Sequence, residues 1–272
     1  MTKQNRMTIF LTGALIMSVT GTAAAGSSRP PIRRCSPDAV PAGTVCLDRY
    51  EETVWRVPES TTTNAIVVSD IQLGRATVSE LTNAGAVQLG VAGEDYAPCT
   101  KDGQSCANDI YAVSLASELP SAHISWFQAE EACANSGKRL PTSAEWQVGA
   151  NGTPDAASDN GTTDCNTSAA GPGLIVTGAR SNCVSSRGAF DMVGNLDEWV
   201  ADWVPRSTEC ADWASFSDDA MCLVGASTTG LGPGALTRGG SLVSATKAGP
   251  LAVSGGRLPS FASGLLGFRC VR

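Results

Sequence analysis

The sequence predicts a loop-rich domain of short strands and two short helices, stapled by disulfides and exported. Three observations predict it. Ten cysteines, an even number, follow an export-type leader. Two capping boxes each open a short helix. The composition is rich in Gly, Ser and Thr and only 6% aromatic, which favours turns over long regular elements.

The leader comes first. Lys3 and Arg6 give a positive start, an apolar run follows over residues 7–19, and Ala23-Ala24-Ala25 precedes Gly26 in a small-residue cleavage pattern. The apolar run is shorter than the ~20 residues that cross a membrane, and no later stretch is long and apolar enough. Residues 1–25 read as a signal peptide, 26–34 as a Ser/Pro/Arg linker, and 35–272 as one domain. The leader holds two of the 19 basic residues and none of the 26 acidic ones, so the remainder carries 17 − 26 = −9. That balance excludes a nucleic-acid binder, which needs a basic face, and an anionic membrane surface. The predicted destination is the periplasm, the cell surface or the outside medium.

In an oxidising compartment the cysteines read as five disulfides. Four pairs join neighbours, Cys35–Cys46, Cys99–Cys106, Cys165–Cys183 and Cys210–Cys222, which leaves Cys133 with Cys270. Each contributes about 2–4 kcal/mol, with the longest loop at or above the top of that range in the chain-entropy model. Cysteine order alone does not fix connectivity. A zinc site is the rival reading, but no C-x-x-C occurs and His123 is the only histidine.

Along the chain, Val45-Cys46-Leu47-Asp48-Arg49-Tyr50-Glu51 reads as a strand. Residues 56–119 show little periodicity and read as an irregular insertion with short strands, tied at Cys99–Cys106. Ser125 with Gln128 forms a capping box that opens a helix to about Asn135, stopped at Ser136-Gly137 and burying Ala129, Ala132 and Cys133. Thr142 with Glu145 opens a second helix, which ends at Asn151-Gly152. Residues 151–187 read as loop, and from Gly188 onward as short strands and turns. There is no phosphate-binding glycine loop. A Ser-His-Asp triad would depend on His123, and a lone histidine before a Trp-led helix is more often a packed residue.

Four ordered segments then carry a resemblance. They are Cys46-Leu47-Asp48-Arg49-Tyr50-Glu51; Ile124-Ser125-Trp126-Phe127-Gln128-Ala129-Glu130 with Gly137-Lys138-Arg139-Leu140-Pro141-Thr142-Ser143-Ala144-Glu145-Trp146; Gly188-Ala189-Phe190-Asp191-Met192-Val193-Gly194-Asn195-Leu196-Asp197-Glu198-Trp199; and Arg238-Gly239-Gly240-Ser241 with Gly267-Phe268-Arg269-Cys270. Together they resemble the sulfatase-modifying-factor (formylglycine-generating enzyme) family. The resemblance implies an α+β, C-type-lectin-like fold with little regular structure, and it supports Cys133–Cys270, since the matching cysteines are paired in the family. Some retroelement-diversified variable proteins share that fold and a similar ending.

The resemblance also implies a structural calcium site at Asp191, Gly194, Leu196 and Glu198, the outer two giving side-chain oxygens and the inner two backbone carbonyls. Two carboxylates seven positions apart around a Gly-Asn turn suit calcium, a hard cation that takes six to eight oxygens at about 2.3–2.6 Å.

The family enzyme oxidises a substrate cysteine with copper and oxygen, holding soft Cu(I) on two thiolates shortly after Gly-Gly-Ser. Here those positions fall on Ser244 and Gly249, and no cysteine lies between Cys222 and Cys270. Copper is therefore not expected, and no catalytic residue is assigned. Asp197 replaces an expected Trp and Leu265 an expected Asn, while Ser241 is kept. The expected function is a non-catalytic binding or structural module for a protein, peptide or glycan, with a surface over residues 241–266 plus Asp197 and Trp203, centred on Ser241, Ser244, Gly249 and Leu265. The alternative is an oxidase with unusual ligands, for example Cys210 and Cys222 as free thiols. Iron-dependent relatives need a histidine cluster, which one histidine cannot supply.

Overall fold

A computed structural model describes residues 34–58, 62–106, 110–155, 159–168, 173–226 and 232–272. The expected leader and all of the expected linker but Arg34 lie outside the described residues. The described chain has the expected loop-rich α+β fold with five disulfides. No helix among the described residues is long and apolar enough to cross a membrane.

Three sheets form. Strands β1 (Ala39–Ala42) and β2 (Val45–Asp48) make an antiparallel pair around Gly43. The chain then turns and enters β3 (Glu52–Arg56), which lies between β4 (Val87–Leu89) and β5 (Ile110–Ser114). The main sheet comes from β6 (Asp197–Pro205), β7 (Glu209–Ala211), β8 (Met221–Val224), β9 (Pro233–Arg238), β10 (Val253–Arg257) and β11 (Leu266–Phe268). Its spatial order is β11-β6-β9-β10-β8-β7, with β11 parallel to β6 and β10 parallel to β8. The end of the chain returns to its start, since Cys46 and Arg272 exchange backbone hydrogen bonds.

Residues 56–119 are more ordered than expected. Besides β4 and β5 they hold helix α1 (Thr62–Gln72) and helix α2 (Val78–Asn83). Val67 and Ile71, one turn apart, bury against Trp55, Tyr111 and Val113, while Leu81 of α2 is fully buried in the same cluster. The β-branched residues of α1 lower helix propensity and hid this face, which tertiary packing nevertheless makes helical. For α2 a signal was present, because Thr77 and Glu80 form a third capping box.

Helix α3 (Trp126–Asn135) and helix α4 (Ser143–Ala150) match expectation within a residue. In each, the N-cap hydroxyl accepts the N3 backbone N–H while the N3 side chain accepts the cap's own N–H. Helix α3 buries Ala129, Ala132 and Cys133, and Cys133 is bonded to Cys270 beyond β11. The bond joins the core of Ile124, Leu140, Trp199 and Phe268. Helix α4 lays Trp146 onto a second core with Leu47, Met192, Val200 and Val271.

Candidate functional site

The third and fourth motifs meet at Arg269, which is fully buried. Its Nε donates to Glu198 Oε2 at 2.7 Å and its Nη2 to Glu198 Oε1 at 2.5 Å, while Nη1 reaches the Asp48 carbonyl and Nη2 the Phe190 carbonyl. Trp146 Nε1 also donates to Glu198 Oε2, at 2.7 Å. Glu51 sits close by and caps the turn, accepting Asn195 Nδ2 and the Leu196 N–H. Asn195 has φ +57° and Gly194 φ +77°, and a Cβ at Gly194 would overlap the Asn166 carbonyl, so only glycine fits there.

Three buried carboxylates, Glu51, Asp191 and Glu198, thus surround one contacting guanidinium. Burial raises the Glu51 carboxyl well above its usual range, with Asp191 and Glu198 adding to it. Burial likewise pushes Asp191 up to about 6. One Asp191 oxygen accepts the Gly178 N–H. Against the same turn, Asn166 donates to Asn195 Oδ1, while its own Oδ1 is buried with no hydrogen-bond partner. A surplus of buried hard oxygens fits calcium. Glu198, whose two oxygens are already engaged, would contribute charge more than an open ligand position.

A second feature is a cleft of about 150 Å³ at the start of β6, lined by Asp197, Ser244, Lys247 and Arg257 among others. Arg257 Nη2 lies 3.6 Å from Asp197 Oδ2, and its guanidinium stacks 5.0 Å from the centroid of Phe261. Burial pushes the Asp197 carboxyl up to about 6, although Arg257 opposes the shift. Lys247 reaches out to Asp212 at 2.7 Å. Much of the rest of the lining is small, including Gly240, Ala252, Ser254 and Cys222.

The profile of the sulfatase-modifying factor enzyme 1-like domain (FGE-sulfatase) matches residues 39–272. The chain belongs to this family. It is 29% identical over 171 residues to a formylglycine-generating enzyme of Streptomyces coelicolor, covering 56% of this chain and 52% of that protein. The chain therefore spans about half the length of the curated relative it matches. Among solved structures it is similar to the Major Tropism Determinant M1 variant, at 19% identity and TM-score 0.44 over 84% of this chain and 49% of that one. It is also similar to PvdO from Pseudomonas aeruginosa, at 19% identity and TM-score 0.36, over 84% and 80% respectively.

Within this sulfatase-modifying-factor-like domain, Ser244 lines the cleft, and its Oγ accepts the Ser241 N–H at 3.0 Å. Ser241 itself is buried. Gly249 is also buried, its α-carbon so close to the Asp219 carboxylate that any Cβ would overlap it. It does not line the cleft. Leu265 is half-buried and gives its carbonyl to the Asp197 N–H. Trp203 is exposed but packs edge-on against Trp126 and Phe127, outside the cleft lining. His123 has φ +57°, and its ring makes no hydrogen bond among the described residues. It lines a separate cavity of about 210 Å³.

The five expected pairs are the five disulfides, Cys35–Cys46, Cys99–Cys106, Cys133–Cys270, Cys165–Cys183 and Cys210–Cys222, and no cysteine is free. Sequence reasoning did not single out Lys247 and Arg257. They are the only charged residues between Ser241 and Leu266, which was the available signal.

Proposed function

We propose that this family member is an exported, non-catalytic binding module that presents the Asp197–Ser244–Arg257 cleft to a peptide or glycan. The observation that carries the reading is the chemistry of that cleft. At the two positions where copper thiolates are expected stand a hydroxyl and a buried glycine, and all ten cysteines are held in disulfides. Neither residue can grip Cu(I) as a thiolate pair does. What remains is a shallow, small-residue surface with one carboxylate and two cations on a disulfide-fixed scaffold, a suitable base for recognition. Five disulfides also favour export.

The proposal extends to a structural calcium ion at Asp191, with the carbonyls of Gly194 and Leu196 and the charge of Glu198. The ion would offset the surplus of buried carboxylates. Peptide and glycan arrays probed with the intact protein and with Arg257→Ala test the binding reading. Binding that is lost in Arg257→Ala supports it, while equal signals from both proteins contradict the cleft as the site.

One observation favours a second reading. Cys222 lines this cleft, so reduction of Cys210–Cys222 would place a thiolate in it. Thiol titration of the native protein separates the two readings, because the binding module has no reactive thiol.

A further inference from the structure

A second group of hard oxygens lies away from the Asp191 loop. Asp155 follows α4, and Asp218 and Asp219 precede β8, yet one carboxylate oxygen from each lies within 4.8 Å of the others. None of the three forms an ion pair within 4.0 Å with a described residue; Lys247 is committed to Asp212, and Arg238, whose charge reaches Asp219 without a hydrogen bond, gives its Nη1 and Nη2 donors to the carbonyls of Pro250, Leu251 and Ala252 and to Gln147.

Clustered surface acids alone would mean nothing, but Asp219 differs from its neighbours. It is fully buried, its Oδ2 accepts the Leu251 N–H at 2.7 Å, and its Oδ1 is buried with no hydrogen-bond partner among the described residues. An anionic oxygen removed from water with no donor is costly unless something positive meets it. Asp155 and Asp218 are exposed, so the open side of the group can keep waters on a bound ion.

We propose that Asp155, Asp218 and Asp219 form a divalent-cation site, of the calcium type, distinct from the Asp191 loop. Asp219 also packs on Gly249 and holds Leu251. An ion there would therefore tie the segment after α4 to residues 249–251.

The test is calcium titration of the intact protein by calorimetry after chelator treatment. It is run on the native chain, on the double variant Asp155→Asn/Asp218→Asn and on Asp191→Asn. The double variant changes only exposed side chains, so it keeps the fold, which circular dichroism verifies. With both sites real, the native chain binds two equivalents and each variant loses a different one. Loss of an equivalent in the double variant upholds this site, even if Asp191→Asn changes nothing. Unaltered stoichiometry and affinity in the double variant overturn it, whatever Asp191→Asn does, and so does a native chain that binds no calcium.

Discussion

Arg269 meets Glu198 in a two-point ion pair, 2.5 and 2.7 Å, with both side chains out of water. The pair joins the residue just after β11 to β6, next to the turn carrying Asp191, and Arg269 also donates to the Asp48 carbonyl at the end of β2 and to the Phe190 carbonyl. Removing one partner of a buried pair strands the other charge, which costs about 3–5 kcal/mol. Arg269→Met should lower the unfolding free energy by that amount in a denaturant titration. A loss within the range of a surface substitution would show that the pair carries little.

The Cys133–Cys270 bond spans 137 residues. In the chain-entropy model a loop of this size contributes about 4–5 kcal/mol. Cys133→Ser should therefore lower the melting temperature more than removing Cys35–Cys46, which spans 11. Comparable melting shifts for the two variants would contradict the ranking.

Buried carboxylates in surplus around Asp191 should make the protein calcium-dependent. A ligand that binds only the native state stabilises by about 2.7 kcal/mol at a hundred times its Kd. Calcium should raise the melting temperature of chelator-treated protein, and Asp191→Asn should blunt the rise. A melting curve indifferent to calcium speaks against the loop.

Glu145 caps α4 and takes Arg139 on both oxygens at 2.7 and 2.8 Å. The bonds from Arg139 hold its carboxyl down at about 2. A depressed folded pKa means its stabilisation is present above the unfolded value near 4.5 and is lost as pH falls towards 2. Glu145→Gln should thus show a shallower loss of stability across that window than the native protein. Partial exposure keeps the effect modest, and superimposable pH profiles would rule it out.

How much of this was legible in the sequence follows from which interactions are local. Capping boxes are three-residue signals, so α3 and α4 were placed within a residue from Ser125–Gln128 and Thr142–Glu145. The same signal at Thr77–Glu80 was there to be read. Helix α1 was not legible, because Val67 and Ile71 gain their burial from strands on either side of it, β3 before and β5 much later. Four of the five disulfides came out of neighbour pairing, and the long one was the pair left over, with the family resemblance behind it. The cleft was legible only in part: Asp197 and Ser244 meet there, but the burial of Gly249 depends on Asp219 from a distant turn. The ion pair of Glu198 with Arg269 likewise joins residues 71 apart, a contact no local pattern announces.

Oxygen consumption separates a sulfatase-modifying-factor-like domain that only binds from one that catalyses. The native protein is mixed with a cysteine-containing sulfatase peptide, with and without copper, and the peptide is weighed afterwards. A binding module takes up no copper-dependent oxygen above the protein-free control and leaves the peptide mass unaltered. Copper-dependent uptake accompanied by conversion of the peptide cysteine to formylglycine would contradict the binding reading.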